Sequence, residues 1–408
     1  MPKTPLAVAL AVVAFTAACA GLGPDAAPPK NVLFLRTADG VALVTASPRA
    51  AAVNLPGAVP ATDWSAVVRA VRVAGGTEVV AHDSTSGDAL WSRTLEGRLE
   101  VKVASPDGRF VALGTPGPGG YSAGRSSTDL VVLGDPGSPP RTIRLRGNFQ
   151  PEAFSTDGAS LFVVEYLPAR NPDSYRVRRL DLATGRVVGV FTPDAELQQA
   201  MGGTARVQAA SPDGRRLYTL YSLDGPDGST RSFIHVLSLD ELWAHCIDLP
   251  APFAGAFEEE VALSVSPDGR RLHAVDTSSA TLAEVDTRAL SVTRTVGVDL
   301  DAAAGPPHAA GPARGRLYLA SGPRLLAVDA ATLAARRSWD LDEDIRGLQA
   351  AADGSRLFIG LEDRIVVLDT VAGRLTRTLR PADVGVIDQL GRSTRSLDAP
   401  RTEFTCAC

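Results

Sequence analysis

The stretch SPDGRRLHAVDT, Ser266 to Thr277, repeats SPDGRRLYTLYS, Ser211 to Ser222, and SPDGRFVALGT, Ser105 to Thr115, almost letter for letter. Looser copies are STDG ending at Gly158, PARG at Gly315 and AADG at Gly354. Aligned on the glycine, the copies are 50, 56, 55, 46 and 39 residues apart. After each turn comes a short apolar run such as RRLYTLY, then a second such as FIHVLSLD or RIVVLDTVAG, then a more polar third such as SVTRTV. β-Branched residues alternating with polar ones, punctuated by Pro, Asp and Gly, predict strands joined by tight turns. Proline presets φ, while Asp and Gly accept the left-handed backbone that closes such a turn. With the run preceding each turn, every unit holds four strands. A lone sheet of that size leaves both faces wet, so the units must stack around an axis. The pattern predicts an all-β fold, a single β-propeller of four-stranded blades.

The SPDG turn, the VLD-type strand and the ATG turn resemble the YVTN or SPDG-repeat propellers of bacteria, which are related in shape to WD40 propellers. The resemblance covers Asn31 to Leu397 and implies architecture, since such folds host many functions. Six repeats are clear between Arg98 and Pro381. The segment Val32 to Gly97 holds about six further strand-like runs, enough for one and a half to two blades. Eight blades are therefore expected, with seven as the alternative. Val384 to Leu397 is expected to supply the strand that closes the ring.

The first residues, MPKTPLAVALAVVAFTAACAG, read as an export address. Lys3 gives a positive start and Leu6 to Phe15 an apolar run too short to span a bilayer. Thr16, Ala17 and Ala18 before Cys19 resemble the bacterial lipobox, with Thr where Leu is usual. That implies a lipidated Cys19 and anchorage to a membrane at the cell envelope. The expected division is a signal peptide over 1–18, a tether over 19–30, a propeller over 31–398 and a tail over 399–408. Cys246, Cys406 and Cys408 remain, and three thiols cannot all pair within one chain.

Composition narrows the function classes. A net charge of −5 with few lysines offers no basic footprint for nucleic acid, and 5% aromatic residues offer few stacking platforms. GYSAG, Gly120 to Gly124, matches a nucleophile elbow around Ser122, but it lies in a Gly- and Pro-rich loop without the helix that chemistry requires. AHDSTSGDALW, Ala81 to Trp91, resembles the tryptophan-docking motif of quinoprotein propellers, which implies that Trp91 locks neighbouring blades. One copy does not support a bound quinone. The five histidines show no ligand spacing, and SLDGPDGST lacks the alternating carboxylates of a calcium loop. No cofactor or metal is expected.

The expected working surface is the face opposite the SPDG turns, where loops 115–128, 167–174, 192–203 and 222–231 are longest. Just inside it, Glu152 and Gln208 share one count from their turns, and Arg206 and Arg346 another, with Glu260 and His308 close by. These six are the candidate channel-mouth residues for a polar small ligand or a protein partner. The expected function is a non-enzymatic binding or scaffold module. A propeller enzyme, lactonase-like or quinone-dependent, is the alternative.

Overall fold

The computed structural model describes residues 31–395, except 48, 117–123, 136, 193–199, 226–228, 256, 301–304 and 393. Cys19, Ser122, Cys406 and Cys408 lie outside the described residues. Seven sheets form: five of four strands, one of five and one of eight. The eight-stranded sheet is two four-stranded blades that meet through a single parallel pair, Gly347 with Leu390. The described strands therefore make eight four-stranded blades of a β-propeller.

Blade one contains Ile387–Leu390, Val32–Thr37, Gly40–Thr45 and Ala52–Pro56, from the axis outward. Blade two runs Ala58–Pro60, Ala66–Val73, Gly76–Asp83 and Ala89–Glu96. Blade three runs Glu100–Ala104, Val111–Gly114, Ser127–Leu133 and Arg141–Arg146. Blade four runs Asn148–Phe154, Ser160–Leu167, Ser174–Asp181 and Val187–Gly189. Blade five runs Thr204–Ala210, Arg216–Asp224, Thr230–Ser238 and Ala244–Asp248. Blade six runs Val261–Val265, Arg271–Asp276, Thr281–Asp286 and Ser291–Gly297. Blade seven runs His308–Ala313, Arg316–Ser321, Arg324–Asp329 and Ala335–Asp340. Blade eight runs Gly347–Ala350, Arg356–Gly360, Ile365–Asp369 and Arg374–Leu379.

Each interface between neighbouring blades has its own apolar cluster, and the clusters close a ring. Trp64 and Phe34 join blades one and two, and Leu33 with Phe358 joins eight back to one. Leu220 with Leu263 joins five to six. A blade's middle strands are covered on both faces, so strand Ser160–Leu167 is buried along most of its length. The outermost strand meets solvent, as the largely exposed Ala335–Asp340 shows. Fully burying one such Leu or Phe contributes roughly 1.5–3 kcal/mol, so the stability resides between blades rather than within them.

The repeated turn has a specific chemistry. The Ser155 hydroxyl donates to the Asp157 carboxylate at 2.6 Å and accepts from the Ser160 N–H at 2.9 Å. The same pair of bonds recurs at Ser105, Ser211 and Ser266. These hydroxyl bonds hold the Asp157 and Asp268 carboxyls below the usual range. The turn glycines lie at φ between 66° and 74°. Gly158 is needed twice over, because a Cβ there would also stand 2.1 Å from Phe110 of blade three. Blade two makes the same turn without glycine: Trp64 takes φ 64° and its N–H donates to Ala61 at 2.9 Å. PARG closes differently, with Arg314 at φ 49° and Gly315 at 74°, both positive as a two-residue hairpin requires.

Arginines staple blade to blade. The outer-strand residue Arg141 of blade three donates to the Ala183 carbonyl of blade four at 3.2 Å. Arg294 of blade six reaches Ala331 of blade seven at 2.6 Å, and Arg377 of blade eight reaches Ala46 of blade one at 3.3 Å. Arg93 of blade two makes the same contact with Ser138 of blade three. Trp91 docks as its motif implied: its indole N–H donates to the Gly108 carbonyl of blade three at 3.1 Å.

Candidate functional site

The eight innermost strands line the axis, and their regularity breaks at β-bulges. A bulge leaves one residue without a partner on the neighbouring strand and re-aims its side chain. In blade four the unpaired residue is Glu152, and in blade five it is Arg206. In blade three it is Lys102, ion-paired to Glu100. Glu152 and Gln208 thus share a count from their turns but not a structural position, because Gln208 stays in register opposite Thr219. Arg346 likewise precedes its strand and is exposed. Counting residues cannot see where a bulge falls.

The six candidate residues divide into two groups. Around blades four to six, Arg206 donates through Nε to the Ser222 hydroxyl at 2.6 Å, and Gln208 donates to the Thr219 hydroxyl at 3.0 Å. Burial lowers the Arg206 pKa, while Asp224 and the Glu258–Glu260 turn pull it back up. Glu260 itself turns inward on that segment, accepting the Phe257 N–H at 3.2 Å. Around blades seven and eight, His308 and Arg346 line a cavity of about 60 Å³ with Asp344 and Asp388. The first group also includes Glu152, at the bulge of blade four.

Glu152 is the outlier within it. Burial pushes its carboxyl up to about 7, and its Oε2 has no hydrogen-bond partner among the described residues. Beside it runs an aromatic stack missed in the sequence: Tyr175 on Tyr221 at 5.3 Å and Tyr221 on Phe233 at 5.3 Å. Tyr175 and Tyr221 are raised above the ordinary phenol range, chiefly by burial, and Glu152 adds to both shifts. Tyr166 donates to the Gln150 amide oxygen at 2.7 Å along the same wall. The tyrosines belong to middle strands that read as plain core, so the sequence carries no signal for them.

The chain after the closing strand adds a further element. Beyond Leu390, the Gly391 N–H donates to Phe34 of blade one at 2.9 Å, and the Arg392 guanidinium stacks 4.7 Å over the Phe34 ring. Thr394–Arg395 then pairs antiparallel with the innermost strand of blade five, at Val207 and Gln208. Blade five lies four blades from blade one in a ring of eight, so this segment crosses the axis and adds a fifth strand to that sheet. No sequence pattern announced it. Among the described residues, no group of three His, Cys, Asp or Glu is placed to hold a metal ion.

No protein-family model and no curated protein matches the chain. Solved structures do. An apo structure of AztD from Citrobacter koseri aligns at TM-score 0.54 with 14% identity, over 90% of this chain and 99% of that one. A second AztD structure from the same organism gives 0.53 and 13%, over 90% and 97%. Dihydro-heme d1 dehydrogenase NirN gives 0.47 and 16%, and the matched region spans 65% of that longer chain. At these identities the likeness is one of fold, and the fold is the β-propeller.

Proposed function

We propose that this chain is an exported, lipid-anchored β-propeller that serves at the cell envelope as a non-enzymatic binding module, holding an extended polypeptide segment along the inner edge of blade five. The observation that carries the reading is the pairing of Thr394–Arg395 with Val207 and Gln208. An innermost strand offers its unpaired backbone N–H and C=O groups to the axis, and here that edge accepts another strand. Strand addition of this kind draws affinity from main-chain hydrogen bonds and specificity from flanking side chains. Arg206 and Gln208 lie on that strand, and Glu152 stands at the bulge of the neighbouring innermost strand of blade four. The Cys19 motif supports the anchor, since two or more acyl chains, each binding at about 0.8 kcal/mol per buried CH₂, hold a protein on a membrane.

Two experiments test this. A labelled peptide with the sequence of residues 391–400 is expected to bind a chain ending at Arg392 but not the full chain, whose own segment occupies the edge. Arg206→Ala with Glu152→Ala should weaken that binding at least tenfold while the melting temperature stays within a few degrees. Equal binding to both chains overturns the proposal. Separately, Cys19→Ser should move the protein out of the membrane fraction, and an unchanged distribution and mature mass would remove the anchor from the reading.

A further inference from the structure

A cleft of about 760 Å³ opens between blades seven and eight, on the face that carries the repeated turns. Four guanidinium groups line it, from Arg314, Arg316, Arg336 and Arg337, against the single carboxylate of Asp329. Two of the four are occupied. Arg316 donates to the Thr370 carbonyl of blade eight, and Arg336 pairs with Asp329 at 3.0 Å. Arg337 lies 5.0 Å over the Trp339 ring, whose indole N–H is anchored on the Gly373 carbonyl at 3.1 Å. Arg314 is exposed on its hairpin and has neither a hydrogen bond nor an ion pair among the described residues. Asp353, whose carboxyl is lowered by the Ser355 bonds and in part by the charge of Arg314, is held by the Ser355 N–H at 2.9 Å and by the Ser355 hydroxyl.

The scaffold does not require this excess of positive charge. At the interface of blades two and three, where Trp91 holds the outer-strand position that Arg337 takes in blade seven, the arginine after the turn is Arg109. It is paired with Asp107 at 2.5 Å and with Asp135 at 3.4 Å. In the seven–eight cleft only Arg336, among the described residues, has an acid within ion-pair distance. A guanidinium fork fits a carboxylate in bidentate fashion, and an indole face with the exposed Val371 at the rim accepts an apolar side chain. The chain as a whole carries −5, which opposes long polyanions while leaving this local cluster open to a short one.

We infer that the cleft between blades seven and eight is a docking site for a short acidic peptide segment of a partner. Carboxylates of the segment pair with Arg314 and Arg337, and a neighbouring apolar side chain rests on Trp339 and Val371. The site is independent of the blade-five edge and lies on the opposite face from the long loops.

The test uses the full chain and a fluorescein-labelled hexapeptide, Glu-Leu-Glu-Phe-Glu-Glu. Saturable binding that weakens with salt is expected. Arg314→Asp should reduce it about tenfold, and adding Arg337→Glu should reduce it further. Aspartate tolerates the left-handed backbone of position 314, so that variant should melt like the parent. Arg314→Asp alone keeps the test valid if Arg337→Glu disturbs the packing of Trp339. Unchanged binding in Arg314→Asp overturns the proposal. So does displacement by inorganic phosphate at the peptide's own concentration, which would mark a simple anion site, and so does tighter binding of duplex DNA.

Discussion

Replacing Glu284 by alanine should lower stability by about 3 kcal/mol at neutral pH, because it strands charges that this one carboxylate holds together. Glu284 sits on the third strand of blade six and is only 2% exposed. Its Oε1 accepts from Arg271 at 2.8 Å, from Arg294 at 2.9 Å and from Thr293 at 3.0 Å, while His273 stands 3.5 Å from Oε2. Burial alone would raise the carboxyl. The nearby His273, the bonds from Arg294 and Thr293 and the charge of Arg271 outweigh that and hold it at about 2. Arg294 is also the staple to Ala331 of blade seven, so losing the carboxylate loosens an interface as well as a blade. The folded-state pKa lies below the unfolded value of 4.5, so the stabilisation is present above about 4.5 and drains away as pH falls toward 2. Thermal melts at pH 7 and pH 3 check this. The parent's margin over Glu284→Ala should shrink by about half or more at the lower pH, with Glu284→Gln intermediate and flatter. Parent and variant melting alike at pH 7 would show that the network contributes nothing.

How much of this was legible beforehand depends on which side of a blade a residue serves. The turns were legible because the Ser and Asp of SPDG do local work, one hydroxyl and one carboxylate tying four residues together. Blade two was blurred because Trp64 occupies the left-handed position that glycine fills elsewhere, so no glycine marked the turn. The expected closing strand within Val384 to Leu397 is Ile387–Leu390. Glu284 went unremarked in TLAEVDT because middle strands are covered on both faces, which erases the alternation that separates inside from outside. The candidate channel-mouth residues read as polar breaks in innermost strands, but the way they group in space does not. Bulges at Glu152 and Arg206 shift the register by one residue at different heights, and only pairing reveals that. The arginine staples and the seven–eight cleft depend on contacts between distant turns, which periodicity does not encode.

Ending the chain at Asp383 should abolish the cooperative melt or lower it far more than any single substitution. What is lost is the strand Ile387–Leu390, which pairs antiparallel with Val32–Thr37 and supplies the axial strand of blade one. Ile387 and Leu390 are 1% and 2% exposed and pack into the cluster shared by blades eight and one. Removing two such side chains costs about 2–5 kcal/mol each, a large part of the roughly 5–15 kcal/mol that holds a typical domain together. The backbone of Val32 to Phe34 shows how finely this edge is completed. The short closing strand does not reach it, and the Gln349 amide of blade eight accepts from the Phe34 N–H at 3.1 Å and donates to the Val32 carbonyl at 2.7 Å. Without Ile387–Leu390 the remaining edge of blade one has no strand to pair with among the described residues, and the ring is held shut only by side-chain contacts such as those of Gln349. A chain ending at Arg392 is the control, since it keeps the closing strand and removes only the segment that crosses to blade five. The two shortened chains should therefore separate sharply by calorimetry, with the longer near the parent and the shorter unfolded or melting at least 10 °C lower. If both melt with the parent, the ring is not closed by this strand.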